Sequence, residues 1–301
     1  MRIFVTGASG WIGSAVIPEL LSAGHEVVGL ARSDAAAEKV AALGAEVRRG
    51  ELDDLDGLRA AASDSEGVVH LGYNHDFSNM PGAASTDLAA ITAIGEALEG
   101  TGAPLVIASG TLGLNPGRVG TEDDRPDPAA HPRVANAQTA LAFAERGVRP
   151  IVARFAPTVH GEGDYGFIPT LVGVAREQGV SAYVGDGANR WPAVHRLDAA
   201  RLVALAVDDA PAGTILHATA EEGVPAREIA EAIGRGLDVP VTSIAVEDAA
   251  GHFGWIGGFF AADAPASSAK TRALLGWEPT QPGLIEDLDA GHYFRAARVT
   301  A

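Results

Sequence analysis

The chain has 301 residues, with 22 Lys and Arg against 39 Asp and Glu, a formal net charge of −17 and no cysteine. The missing cysteine excludes disulfides, thiolate metal sites, iron–sulfur clusters and a Cys nucleophile, and the acidity argues against nucleic acid or an anionic membrane as a partner. With 47% apolar residues and no apolar run of the roughly 20 residues that a spanning helix needs, the sequence reads as a folded cytoplasmic protein acting on a small molecule.

The first half alternates strands and helices. Ile3–Thr6 is an apolar run ending at Gly7, Ile12–Ala23 a helix broken at Gly24, His25–Ala31 a strand and Asp34–Leu43 a helix. Glu46–Arg49, Gly67–Leu71, Leu105–Ala108 and Pro150–Phe155 read as further strands, with Leu55–Ala62, Leu88–Glu99 and Thr139–Arg146 as helical stretches between them. Short apolar strands separated by helices predict an α/β fold, a doubly wound parallel sheet of Rossmann type covered on both faces. In the second half, Ile168–Glu177, Asp198–Val207 and Pro225–Leu237 read as helices and Thr214–Ala218 as a strand. The expected division is a core over residues 1–160, a late strand and helices from about 190–237 packing on it, and a small C-terminal substrate-binding lobe from 161–190 and 238–301. Asn115–Arg133, rich in Pro, Gly and Asp, is the longest irregular stretch, and a loop of that length is usually functional or mobile.

The strongest local signal is Thr6-Gly7-Ala8-Ser9-Gly10-Trp11-Ile12-Gly13, a Gly-x-x-Gly-x-x-Gly turn between the first strand and the first helix. Gly7 permits the tight turn, Gly10 lets backbone approach a pyrophosphate and Gly13 lets the helix sit close to the sheet, with helix N–H groups facing the anion. Arg32 and Ser33 end the second strand where an adenosine ribose would lie. One offers charge and the other a hydroxyl, which suits a 2′-phosphate and so NADP; Asp34 keeps NAD as the alternative. After the third strand, Glu51 is placed to accept from an adenine amino group and Leu52 to pack on its ring.

These features resemble the extended short-chain dehydrogenase/reductase family, in its NAD-dependent epimerase/dehydratase group. The resemblance also rests on Val69-His70-Leu71-Gly72, where the family's backbone passes the cofactor, and on Ser109-Gly110-Thr111. Two further segments match: Arg154–Gly161, with Pro157 near the nicotinamide, and Val194–Ala200. It implies nicotinamide redox chemistry and a homodimer. In that family a Tyr moves the proton, a Lys four residues later lowers its pKa, and a Ser or Thr binds the reacting oxygen. This chain has no Tyr-x-x-x-Lys: its tyrosines are Tyr73, Tyr165, Tyr183 and Tyr293, its lysines Lys39 and Lys270. The resemblance puts Arg133 at the Tyr position and Ala137 at the Lys position, so the chain is an atypical member.

Thr111 is the expected binder of the reacting oxygen, with Ser109 beside it. His75 and Tyr73, following the fourth strand with Asn74, are the candidate proton donors, Tyr73 only with a helper cation such as Arg133. His160 and Tyr165 after the sixth strand, then Asn189, Arg190 and Trp191, are candidate substrate contacts. Trp255, in the aromatic and glycine-rich stretch Phe253–Phe260, suggests an apolar wall. Asp198 is expected to cap its helix. His70, His75, His160 and His195 have no metal-ligand spacing. The reading that follows is an NADP-dependent oxidoreductase acting on the carbonyl or alcohol of a small, fairly apolar metabolite. An epimerase, isomerase or lyase on the same fold and a non-catalytic NADP-sensing protein are the alternatives.

Overall fold

The computed structural model describes residues 1–74, 79–114, 117–129 and 131–295. Its first half contains β1 (Arg2–Thr6), α1 (Gly13–Ser22), β2 (Glu26–Ala31), α2 (Asp34–Ala42), β3 (Glu46–Arg49), α3 (Leu55–Ser63), β4 (Gly67–His70), α4 (Met80–Ala97), β5 (Pro104–Gly110), α5 (Pro132–Ala142) and β6 (Arg149–Phe155). Then come β7 (Thr158–His160), α6 (Phe167–Gln178), β8 (Ser181–Val184), β9 (Arg190–His195), α7 (Arg196–Asp209), β10 (Thr214–Ala218), β11 (Glu221–Pro225) and α8 (Ala226–Leu237). The C-terminal part holds β12 (Val241–Ile244), α9 (Ala249–Phe253), α10 (Gly257–Phe260), α11 (Ala269–Leu275) and α12 (Leu284–Asp289).

Seven strands form one parallel sheet in the order β10-β6-β5-β4-β1-β2-β3. Alternation along each strand feeds two cores. Ile3, Val5, Val106 and Ile151 face a layer with α1 and α7, while Phe4, Leu105, Ile107 and Val152 face α3, α4 and α5. This is the doubly wound Rossmann-type sheet expected from the strand–helix alternation. A third apolar cluster gathers α6, α8, α9, α10 and α12 around Trp191 and Phe260 into a C-terminal lobe. No helix among the described residues is long and apolar enough to cross a membrane.

Two helices begin earlier than the sequence suggests. α4 starts at Met80 rather than Leu88 because the Asn79 side chain accepts the Gly82 N–H at 3.2 Å and Pro81 lies in the first turn, where no donor is needed. α5 starts at Pro132 because His131 Nδ1 accepts the Arg133 N–H at 3.2 Å, so the irregular stretch ends at its cap. The expected cap at Asp198 is also corrected. His195 caps α7 through Nδ1 and the Leu197 N–H, and the buried Asp198 carboxylate instead accepts Thr280 N–H at 3.0 Å and Gln281 N–H at 2.9 Å. The strands β7, β9 and β11 pair into one further small sheet.

Candidate active site

The sheet order reverses between β1 and β4, and the crevice outside the carboxyl ends of those strands is where this architecture binds ligands. The glycine turn occupies it. Gly7 has φ +65°, and the Gly10 N–H donates to the Gly7 carbonyl at 2.9 Å. A Cβ on Gly7 would lie 2.7 Å from Gly72 N, and one on Gly13 would lie 2.1 Å from Gly7 O. The turn, the start of α1 and the end of β4 are therefore in backbone contact, which only glycine permits. α1 has Ile12 at its N-cap and no side-chain cap, whereas Ser33 and Asp54 cap α2 and α3. An anion at α1 would complete its first turn. The turn fits a dinucleotide pyrophosphate, with half-buried Ser9 and Trp11 alongside. Trp11 is fixed by its Nε1–H to Val159 O at 2.7 Å and by the Arg196 guanidinium 4.2 Å from a ring centroid.

Beneath the turn runs a buried polar chain. Gly72 N–H donates to Thr6 Oγ1 at 3.0 Å, and Thr6 Oγ1 lies 2.8 Å from His70 Nδ1. His70 Nε2 meets Asp87 Oδ1 at 3.2 Å, and Asn136 Nδ2 donates to Asp87 Oδ2 at 2.6 Å. In its neutral form His70 donates from Nε2 to Asp87 and accepts the Thr6 hydroxyl at Nδ1. Asp87 and Asn136 were not singled out in the sequence. The signal was there: Asp87 is the first acid in a helix otherwise rich in Ala and Ile.

One turn from Asn136, Arg133 reaches the end of β5. Its Nη2 donates to Ala108 O at 2.9 Å, its Cζ lies 4.4 Å from the Tyr73 ring centroid, and its buried Nε–H has no partner among the described residues. The helper cation expected for Tyr73 is thus present, but it sits on the ring face. Burial pushes the Tyr73 phenol up, outweighing the lowering by Arg133, and Asp87 adds to the rise. Thr111, buried, donates its N–H to Phe155 O at 3.0 Å, and its hydroxyl has no partner among the described residues. An orphaned hydroxyl at a strand's carboxyl end is a group that a ligand oxygen would satisfy. Ser109 is buried just before it, and Asn74 is exposed. His75 lies outside the described residues.

Several expected contacts are otherwise employed. Asn189 Nδ2 donates to Phe260 O at 2.7 Å, Arg190 makes a bidentate pair with Asp263 at 3.0 and 2.9 Å, and Trp191 is fully buried against Phe167 and Phe260. These three hold the lobe together and are not free to grip a substrate. His160, also fully buried, pairs through Nδ1 with Asp287 at 2.9 Å. Nearby, Tyr293 donates to Asp164 at 3.2 Å, and burial pushes the Asp164 carboxyl up. Tyr165 and Trp255 are exposed, the former edge-on to Trp11 at 5.8 Å. Glu51 is exposed and Leu52 leans on Gly72, where a Cβ would meet it at 2.9 Å; Leu71 and Pro157 are half-buried. Among the described residues no three His, Asp or Glu side chains are placed to share a metal ion.

Residues 3–218 match the NAD dependent epimerase/dehydratase family. The chain belongs to that family. It is 48% identical over 295 residues to an uncharacterised protein of Schizosaccharomyces pombe, covering 98% of this chain and 100% of the relative. It is 29% identical over 258 residues to a 2-alkyl-3-oxoalkanoate reductase of Stenotrophomonas maltophilia, covering 80% and 77%. Among solved structures it is similar to a dTDP-glucose 4,6-dehydratase of Streptomyces venezuelae with NAD bound, at 22% identity and a TM-score of 0.77 over 99% and 98% of the two chains. A Thermus thermophilus UDP-glucose 4-epimerase, at 20% identity and a TM-score of 0.74 over 98% of each chain, also holds NAD. The NADP preference expected from Arg32 and Ser33 is overturned by these two NAD-bound structures. The geometry adds a reason: the Ser33 hydroxyl is used on the Ala36 N–H at 3.2 Å, as the cap of α2.

Proposed function

We propose that the protein is an NAD-dependent enzyme of the epimerase/dehydratase type, in which hydride leaves and returns to a carbon bearing oxygen around an isomerisation or elimination. The single observation that carries this reading is the pair of unpartnered buried donors, the Thr111 hydroxyl and the Arg133 Nε–H, at the β5 end of a glycine-turn crevice. NAD, when bound, supplies the hydride acceptor and donor. Gly7, Ser9, Gly10, Trp11, Ile12 and Gly13 hold its pyrophosphate, and Glu51, Leu52, Leu71, Gly72 and Pro157 flank it. Thr111 donates to the substrate oxygen. A guanidinium is a donor and not an acid–base group, so Arg133 stabilises negative charge and transfers no proton. The proton step is assigned to His75, whose unperturbed pKa of about 6.5 suits it. The C-terminal lobe around Trp191 and Phe260 covers the substrate.

A second reading, net reduction of a ketone, is favoured by the relationship to the Stenotrophomonas reductase. Nuclear magnetic resonance of candidate substrates incubated with protein and either catalytic NAD or stoichiometric NADH distinguishes the two. Conversion without net NADH change supports the first reading, and stoichiometric NADH oxidation supports the second. Turnover that Thr111→Val leaves unaltered contradicts both.

A further inference from the structure

We infer that the substrate enters as a carboxylate, an oxo or hydroxy acid gripped by Arg133, and not as a nucleotide diphosphate; this rests on the reading of the crevice as an NAD-dependent active site. No carboxylate among the described residues lies within ion-pair distance of Arg133. One amino group is anchored on Ala108 O and one face on Tyr73, so the guanidinium is held rigidly while its Nε–H stays buried and unpartnered. A fixed planar fork with a free edge matches a carboxylate's two oxygens, and a partly buried unpaired charge gains most from such a partner. Arg133 is anchored on Ala108 O, three residues before Thr111 at the same carboxyl end of β5, so a carboxylate held there belongs to a ligand whose oxygen Thr111 can meet.

Four cations of the second half are already paired, while Arg196 lies on Trp11 at the dinucleotide turn and Arg227 on Tyr183. Arg190 is locked to Asp263, Arg235 to Asp289 at 3.0 Å, Lys270 to Asp123 and Arg295 to Glu162 at 3.4 Å. What the lobe exposes is aromatic: Tyr165 is 70% and Trp255 50% accessible, the latter within 5.7 Å of the Phe167 ring. On a chain of net charge −17, a doubly charged ligand is also repelled more than a singly charged one.

The test is calorimetric titration of the NAD-loaded protein with hexanoate, its neutral isostere hexanamide, and UDP-glucose, preceded by titration with NAD alone. Hexanoate is expected to bind at least about tenfold more tightly than hexanamide, the scale of a charge-assisted bond, with no UDP-glucose binding. Arg133→Gln should abolish the difference and leave NAD affinity within about twofold, and Arg133→Lys should restore part of it. Equal binding of the acid and the amide, no binding of hexanoate, or binding of UDP-glucose to the wild-type holoprotein overturns the carboxylate assignment. Failure of NAD to bind the wild-type protein overturns the underlying reading instead.

Discussion

Arg133 lies over the face of Tyr73, with Cζ 4.4 Å from the ring centroid. The stack converts a residue expected to do chemistry into a seat for a charge. Tyr73→Phe keeps the ring and should leave NAD affinity and turnover nearly unchanged. Tyr73→Ala removes the seat and should cost about 0.5–2 kcal/mol of stability, the range of a cation–π contact. Urea unfolding of both variants checks this; equal losses would show that the phenol hydroxyl, not the ring face, matters.

Thr6→Val tests the polar chain below the turn. The variant leaves the Gly72 N–H and His70 Nδ1 without their shared partner, and a buried unsatisfied donor costs about 1–3 kcal/mol. NAD affinity should fall with stability, while Thr6→Ser should restore both. Retention of wild-type affinity by Thr6→Val would detach this chain of bonds from the dinucleotide site.

Gly13→Ala brings a methyl to within 2.1 Å of the Gly7 carbonyl. Helix α1 must then move away from the turn. Overpacking of this kind costs about 1–3 kcal/mol, and the larger expected loss is in NAD binding, read by quenching of Trp11 fluorescence. Tight NAD binding by a folded Gly13→Ala protein would contradict the close approach of helix and turn.

This part of the molecule was legible in the sequence because it is local: an apolar run, three glycines at fixed spacing and a helix follow one another. The role of Arg133 was not, because Tyr73, Ala108 and Arg133 come from three elements that meet only when β4 and β5 pair. Asn189, Arg190 and Trp191 misled for the same reason. They look like a polar and aromatic grip until the fold supplies Phe260 and Asp263 as their partners. The helix starts at Met80 and Pro132, capped by Asn79 and His131, were not read from the sequence.

His217 should give stability a pH dependence. It is buried, its Nδ1 donates to Ser267 O at 2.7 Å, and Arg154 Nη1 stands 3.4 Å from Nε2. Burial is the largest cause lowering its pKa, so the folded protein binds this proton less readily than the unfolded chain. Its contribution is therefore present above the ordinary histidine pKa of about 6.5 and is lost as pH falls through the folded value. Asp164, pushed up by burial, acts in the opposite sense, so the difference between wild type and His217→Gln is what should be read. Between pH 7.5 and 5 the wild-type Tm should fall more steeply than that of the variant. Parallel curves would mean that His217 titrates alike in both states.

The most direct measurement is a crystal structure of the protein with NAD. The account predicts the pyrophosphate against the turn from Gly10 to Gly13 and the nicotinamide end beside the Thr111 hydroxyl, with Arg133 still on Tyr73. A dinucleotide bound elsewhere, or one whose nicotinamide end lies away from Thr111 and Arg133, would contradict it.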